Sequence, residues 1–282
     1  MMHKISVIGA GGVVGSAVAN YFNSFGHEII RHDVNKGPGI TTNLKDAVVD
    51  IDFIFVCVPT PPGLNGKCDT TIVEKVAFDI GRIASFENCP VNIVFKSTTP
   101  PGTTAKLELI LKRYCRELAV AYNPEFLRQK HALEDMMRPS RIIVGSPYQG
   151  FGFNVMKLFD DTDCYKGLFP NYESAELAKY YANAYYAARI SFLNQMKFFA
   201  DAFQCDHDKI VKALVADPTV GVHGSNPTGK PYGGACLPKD VQAITACGKM
   251  NDINVDLLES VAKINKIMMN NETHEKLSRW TK

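Results

Sequence analysis

The sequence is short of paired cysteines, of charge of one sign and of long apolar runs, and each shortage excludes a class of protein. Its eight cysteines (Cys57, Cys68, Cys89, Cys115, Cys164, Cys205, Cys236 and Cys247) are scattered, with no C-x-x-C pair and no metal-ligand spacing. No metal site is expected, and most of the thiols read as packed side chains in a reducing compartment. The formal net charge is +2, and no dense Lys/Arg cluster accompanies it, so no nucleic-acid partner is expected. No stretch approaches the roughly 20 apolar residues needed to span a bilayer, which argues against a membrane partner. The opening Met-Met-His-Lys leads straight into an apolar strand, without the small-residue cleavage site of a signal peptide. A cytoplasmic protein is expected. There is no internal repeat and no low-complexity tract.

What is present suits an enzyme of one large or two ordinary domains. The chain has 282 residues, of which 46% are hydrophobic, enough for a sizeable core. An apolar strand over 4–8 runs into Gly9-Ala10-Gly11-Gly12-Val13-Val14-Gly15, followed by a small-residue helix over 16–25, Gly26, and a second strand over 28–32 that ends on Asp33. A strand, a glycine turn, a helix and a second strand ending in an acid make a dinucleotide-binding unit of Rossmann type. Glycines let the backbone approach a pyrophosphate, and the helix N-terminus offers free N–H groups. Asp33 can accept hydrogen bonds from both ribose hydroxyls and repels a 2′-phosphate, which favours NAD. The spacing can be read as G-x-G-x-x-x-G or as G-x-x-G-x-x-G. The bland alternative is a tight strand-to-helix turn with no ligand. Gly9, Gly11, Gly12, Val13, Val14 and Gly15 are assigned to the cofactor, with Gly9, Gly12 and Gly15 foremost.

The alternation continues with strands over 52–58, 91–96, 118–122 and 141–144 and helices over 72–85 and 103–117, which implies a doubly wound, mostly parallel sheet. Ligand loops lie at the carboxyl ends of such strands. Here they contain Val58, Pro59 and Thr60, then Ser97 and Thr98, then Asn123 to Leu127. Val58, Pro59, Thr60, Ser97, Thr98 and Lys239 are assigned to the cofactor. Beyond Pro170 the character changes. Residues 172–204 carry no Pro or Gly and read as one long helix, and helical segments follow over 206–216, 240–250 and 254–270. The expected organisation is an α/β Rossmann domain over 1–171, the long helix and an all-helical domain over 172–270, and a polar, frayed tail over 271–282.

Two places carry nucleophilic or acid–base potential. Cys236 follows Gly233, Gly234 and Ala235 and precedes a helix, a setting that favours a thiolate. Asp240 lies one helical turn on and could orient a water; a Cys simply packed in a turn is the alternative. Lys179 and Asn183 are spaced i, i+4 on one face of the long helix, where a solvated face is the plain reading and a cleft lining the functional one.

These blocks together resemble the UDP-glucose/GDP-mannose dehydrogenase family. The likeness rests on Val58-Pro59-Thr60-Pro61, Lys96-Ser97-Thr98, Asn123-Pro124-Glu125-Phe126-Leu127-Arg128, Ser174-Ala175-Glu176-Leu177-Ala178-Lys179 and Gly233-Gly234-Ala235-Cys236-Leu237-Pro238-Lys239-Asp240. It runs from Lys4 to about Asn270. The resemblance implies oxidation of a nucleotide sugar's primary alcohol to a carboxylate with two NAD. It implies Cys236 as the nucleophile that captures the aldehyde as a thiohemiacetal and later becomes a thioester. Lys179 would stabilise the oxyanion, Asn183 and Thr98 would place substrate and water, Asp240 would orient water, and Glu125 would assist proton transfer. A homodimer through the long helix is also implied.

Four departures from the family pattern accompany the resemblance. The expected C-terminal domain that grips the nucleotide is missing, so a partner chain could complete the site. Gln129 stands where the family has Glu, Thr219 stands where it commonly has Arg, and the glycine turn is one residue longer. Competing expectations are a β-hydroxyacid dehydrogenase-like two-electron oxidoreductase, which needs no nucleophilic cysteine, and a catalytically impaired NAD-binding homologue.

Overall fold

The computed structural model describes residues 2–221 and 230–280 of the chain. The strands are β1 (Lys4–Ile8), β2 (Glu28–His32), β3 (Phe53–Val56), β4 (Val91–Phe95), β5 (Leu118–Tyr122), β6 (Arg141–Gly145) and β7 (Tyr165–Phe169). The helices are α1 (Val13–Ser24), α2 (Thr71–Glu87), α3 (Thr103–Lys112), α4 (Ala132–Met137), α5 (Gln149–Lys157), α6 (Tyr172–Ala202), α7 (His207–Val215), α8 (Leu237–Met250) and α9 (Asp256–Trp280). Two compact units form: Met1–Pro61 with Asp69–Lys179, and Pro62–Cys68 with Tyr180–Lys282.

The first unit holds one sheet in the order β2-β1-β3-β4-β5-β6-β7. Its strand pairs are parallel except β5 with β6, which meet antiparallel at Tyr122 and Gly145. Side chains alternate across the pleat, and the two faces therefore carry separate cores. Ile54, Val56, Ile93, Phe95 and Val120 pack with α2, α3 and the start of α6. Ile5, Val7, Phe53, Phe55 and Val144 pack with α1, α4 and α5 on the other face. Helices on both faces of a mostly parallel sheet make this the doubly wound α/β fold expected of the sequence.

Differences from the expected elements have local causes. α3 stops at Lys112 because Arg113 N–H and Tyr114 N–H turn back to the carbonyls of Ile110 and Leu111. α5 and β7 were not expected. Gly150 and Gly152 weaken the helical pattern of α5, yet a Cβ on Gly152 would lie 2.9 Å from Leu168 Cδ1, so the glycine permits close packing on β7. The long helix ends at Ala202.

The second unit is helical, with a core of Ala187, Tyr232, Val241 and Val261. The segment 62–68 belongs to it, and Gly66 lies against Gln242 of α8. The tail expected over 271–282 is helical as far as Trp280, with 281–282 outside the described residues, as is 222–229 of the loop before α8. Among the described residues no helix is long and apolar enough to cross a membrane.

Candidate active site

Strand order reverses at β1, whose neighbours are β2 and β3. The crevice at the carboxyl ends of such strands is where open α/β sheets bind ligands. Gly9 leaves β1 at φ +88°, and a Cβ there would stand 2.7 Å from the Cys57 carbonyl oxygen after β3. A Cβ on Gly15 would stand 2.1 Å from Gly9 O. Both positions admit only glycine. Gly12 is the N-cap of α1 and makes no side-chain cap bond, so the first-turn N–H groups face outward from an end with positive dipole. Gly11 N–H donates to Asp33 Oδ2 at 3.1 Å, while Asp33 Oδ1 accepts from Asn35 N–H at 3.0 Å. A Cβ on Gly11 would crowd that carboxylate at 3.0 Å. Val13 and Val14 open the helix, exposed and half-buried respectively. A backbone cradle beside an oriented carboxylate fits a pyrophosphate and a ribose diol, and opposes a 2′-phosphate.

The next two loops are tied to each other. Ser97 Oγ donates to Val58 O at 2.6 Å, Thr60 Oγ1 donates to Thr98 O at 2.7 Å, and Tyr122 Oη donates to Ser97 O at 3.3 Å. Pro59 is exposed beside them. Behind this edge lies buried Lys96, whose Nζ donates to Asn123 Oδ1 at 2.8 Å and to Asn123 O at 3.2 Å. Asn123 Nδ2 in turn donates to Ile143 O at 2.6 Å. Burial holds the Lys96 ammonium down to about 8, and burial pushes the Cys57 thiol up to about 12, leaving that thiol inert.

Glu125 and Lys179 form a buried pair, Oε1 to Nζ 2.9 Å. Glu125 Oε2 also accepts from Leu127 N–H at 2.6 Å, and Lys179 Nζ stands 5.5 Å from the centre of the Phe126 ring. A buried ammonium is costly to leave without a partner, and Glu125 supplies one here.

In the helical unit, Asn183 Nδ2 donates to Asp240 Oδ2 at 2.5 Å, and both side chains are buried. Asp240 sits in the first turn of α8, whose N-cap is Cys236, and Asp240 N–H donates to Cys236 O at 2.8 Å. Cys236 is exposed. The approach to it is braced: Tyr232 N–H donates to Asn265 Oδ1, Asn265 Nδ2 donates to Tyr232 O, and Asn194 Nδ2 donates to Lys230 O. Lys239 Nζ lies 2.8 Å from Asp240 Oδ1 without the alignment of a hydrogen bond.

The residues singled out from the sequence thus fall into pairs: Lys179 with Glu125, and Asn183 with Asp240. α6 carries one member of each pair, four residues apart. Gln129 opens an exposed helical turn, and Thr219 folds onto Asp217 Oδ1 through both its N–H and its hydroxyl. Sequence reasoning gave no role to Lys96, Asn123 or Glu176. The available signal for Lys96 is a charge placed directly after the apolar run 91–95.

The NAD binding domain of the UDP-glucose/GDP-mannose dehydrogenase family matches residues 39–162, and that family's central domain matches residues 173–267. A UDP-glucose 6-dehydrogenase of Rhizobium meliloti is 30% identical over 93% of this chain and 67% of its own length. A GDP-mannose 6-dehydrogenase of Pseudomonas aeruginosa is 29% identical over 93% of the chain and 68% of its own length. Among solved structures, a UDP-glucose dehydrogenase from Pyrobaculum islandicum is 28% identical, with a TM-score of 0.91, over 99% of this chain and 72% of that one. The chain belongs to the UDP-glucose/GDP-mannose dehydrogenase family. Its cofactor is NAD. The match to the dehydrogenase family's NAD binding domain begins at residue 39, so the glycine turn and Asp33 rest on their own geometry. The chain spans about two thirds of these relatives' length.

Proposed function

We propose that this protein oxidises the primary alcohol of a nucleotide sugar to the carboxylate, with Cys236 as the nucleophile. The observation that carries the reading is the arrangement at the start of α8. Cys236 caps the helix, and Asp240, one turn on, is held by Asn183. NAD supplies the chemistry of hydride acceptance, one equivalent at each of two oxidations. The alcohol loses a hydride and a proton to give an aldehyde. The Cys236 thiolate adds to the aldehyde carbon, and protonation of the oxygen gives a thiohemiacetal. Loss of a second hydride and that proton gives a thioester. Water then cleaves the C–S bond, releasing the acid and restoring the thiol. Lys179 stabilises the oxyanion, Asp240 and Asn183 orient water, Thr98 positions the substrate, and Glu125 shuttles the proton that water gives up. Lys239 is proposed as a cofactor ligand.

Relatives that act on a UDP-sugar and on a GDP-sugar match at similar identity, so the sugar is the variable to test. The experiment is NAD reduction with UDP-glucose, GDP-mannose and their N-acetylated counterparts, by this chain alone and with candidate partner chains. Two NAD reduced per acid formed is the expected stoichiometry. One NAD per sugar, stopping at a carbonyl, would favour two-electron chemistry. No reduction with any sugar would sink the assignment.

A second copy of the chain is the proposed partner of the helical unit. Phe192 and Phe199 of α6, Phe203 just past its end and Ile210 of α7 are exposed along grooves of about 510 and 410 Å³ with almost wholly apolar walls. Contiguous apolar surface of that kind marks an interface. Light scattering that finds only monomer at micromolar concentration would refute the dimer.

A further inference from the structure

Glu176 is wholly buried on the first turns of α6, and its carboxylate is surrounded by donors from another helix. Oε2 accepts from Gly102 N–H at 2.7 Å. Oε1 accepts from Thr104 N–H at 2.8 Å, from Thr104 Oγ1 at 2.6 Å and from Thr99 Oγ1 at 3.4 Å. Gly102 is the N-cap of α3 and has no side chain with which to cap it. Two N–H groups of that helix end, those of Gly102 and Thr104, are therefore satisfied from α6, while Thr103 N–H turns back to Pro100 O, and a carboxylate is the group the positive end of a helix favours.

This bond set ties together Thr98, Lys179 and Glu125, the residues of the proposed reaction that lie in the sheet unit. The stretch from Ser97 to Gly102 contains Thr98. Its strand end is fixed by Ser97 Oγ on Val58 O and Thr60 Oγ1 on Thr98 O. Its helix end is fixed by Glu176. Three residues after Glu176, on the same face of α6, comes Lys179, paired with Glu125. One turn of α6 thus grips the loop of Thr98 with one side chain and the loop of Glu125 with another. Burial pushes the Glu176 carboxyl up to about 7 against the pull of its donors. In either protonation state each oxygen keeps a lone pair for its backbone N–H. In Glu176→Gln, by contrast, the amide turns its own N–H onto one of those two groups whichever way it is flipped.

We propose that Glu176 is a positioning residue, whose carboxylate sets the Ser97–Gly102 loop, and with it Thr98, in register with Lys179. The proposal rests on the dehydrogenase reading for its catalytic consequence and on the hydrogen bonds alone for its structural one.

The test uses the full chain with Glu176→Gln and with Thr104→Val, which removes one hydroxyl and keeps both N–H bonds. The measurements are melting temperature, NAD dissociation constant by calorimetry, and kcat and KM for the accepted nucleotide sugar. For folded Glu176→Gln, kcat should fall about 30-fold, the range a displacement of well under 1 Å produces, with KM for the sugar changed less than about threefold. Its NAD affinity should weaken about fivefold through the displaced Ser97–Thr98 loop. Thr104→Val should lose about threefold in kcat. If Glu176→Gln melts lower yet keeps wild-type kcat and NAD affinity, the residue is only a helix cap and the proposal is overturned. Should that variant fail to fold, an unchanged kcat and NAD affinity in Thr104→Val overturn it equally. If the wild type reduces NAD with no nucleotide sugar, the dehydrogenase reading fails, while NAD affinity in the two variants still decides the role of Glu176.

Discussion

In the sheet unit the charged and polar side chains near the ligand edge are buried and bonded inward: Lys96 to Asn123, Ser97 to Val58, Glu125 to Lys179, Glu176 to Gly102 and Thr104. In the helical unit large apolar side chains face outward, among them Phe192 and Phe199 of α6, Phe203 just past its end and Leu257 of α9. The first unit has internal partners for its most costly groups. The second has apolar surface that water covers poorly, the surface on which the proposed second copy would dock. Substitutions should therefore act through local geometry and affinity in the first unit and through assembly in the second.

The largest effect should come from the glycine turn. Gly15→Ala drives a methyl group to 2.1 Å from Gly9 O, so the backbone must move exactly where the pyrophosphate would lie. NAD affinity measured by calorimetry should fall about 100-fold or more, with a smaller loss in melting temperature. Next, Lys179→Met leaves Glu125 buried without its ammonium, and urea denaturation should show a loss of about 3 kcal/mol. A loss below about 0.5 kcal/mol would mean that the pair is solvated, and the contrast between units would weaken.

On the helical side, Phe199→Ser with Phe203→Ser should shift the mass seen by light scattering from dimer toward monomer. Stability should change by no more than about 0.5 kcal/mol, because exposed side chains carry little of the fold. A further effect is a pH dependence at Lys96. Its folded value of about 8 lies below the ordinary 10.5, so between those values the unfolded chain binds more protons and stability rises with pH. That contribution is complete above 10.5 and is lost as pH falls through about 8. Relative to Lys96→Met, wild type should gain stability between pH 8 and 10.5 in urea titrations. A flat difference would place the ammonium in contact with water.

The fold was legible because its signals are local. A strand, a glycine turn and a second strand ending on Asp33 can be read from 30 consecutive residues or so, and short, nearly continuous apolar runs announce β3, β4 and β5. Lys179, Asn183, Asp240 and Glu125 were all legible as candidates, but their pairing was not, since neither the Lys179–Glu125 ion pair nor the Asn183–Asp240 bond is implied by position along a helix. Glu176 was less visible still. In an Ala-rich helix a Glu three residues after another has the appearance of a solvated residue, and only the tertiary arrangement shows that it lies under α3. The helix α5 and strand β7 escaped for a related reason: Gly152, which weakens the helical signal, is what lets the two elements meet.

The remote cap on α3 also bears on the order in which the chain is completed during synthesis. The β4–α3 segment leaves the ribosome well before α6, so its first helical turn emerges with the Gly102 and Thr104 amides facing water. Those amides acquire their acceptor only after residue 176 has been made and α6 has docked. The cap on the first turn of α3 is thus a contact that the chain can make only once the helix carrying Lys179 has been synthesised.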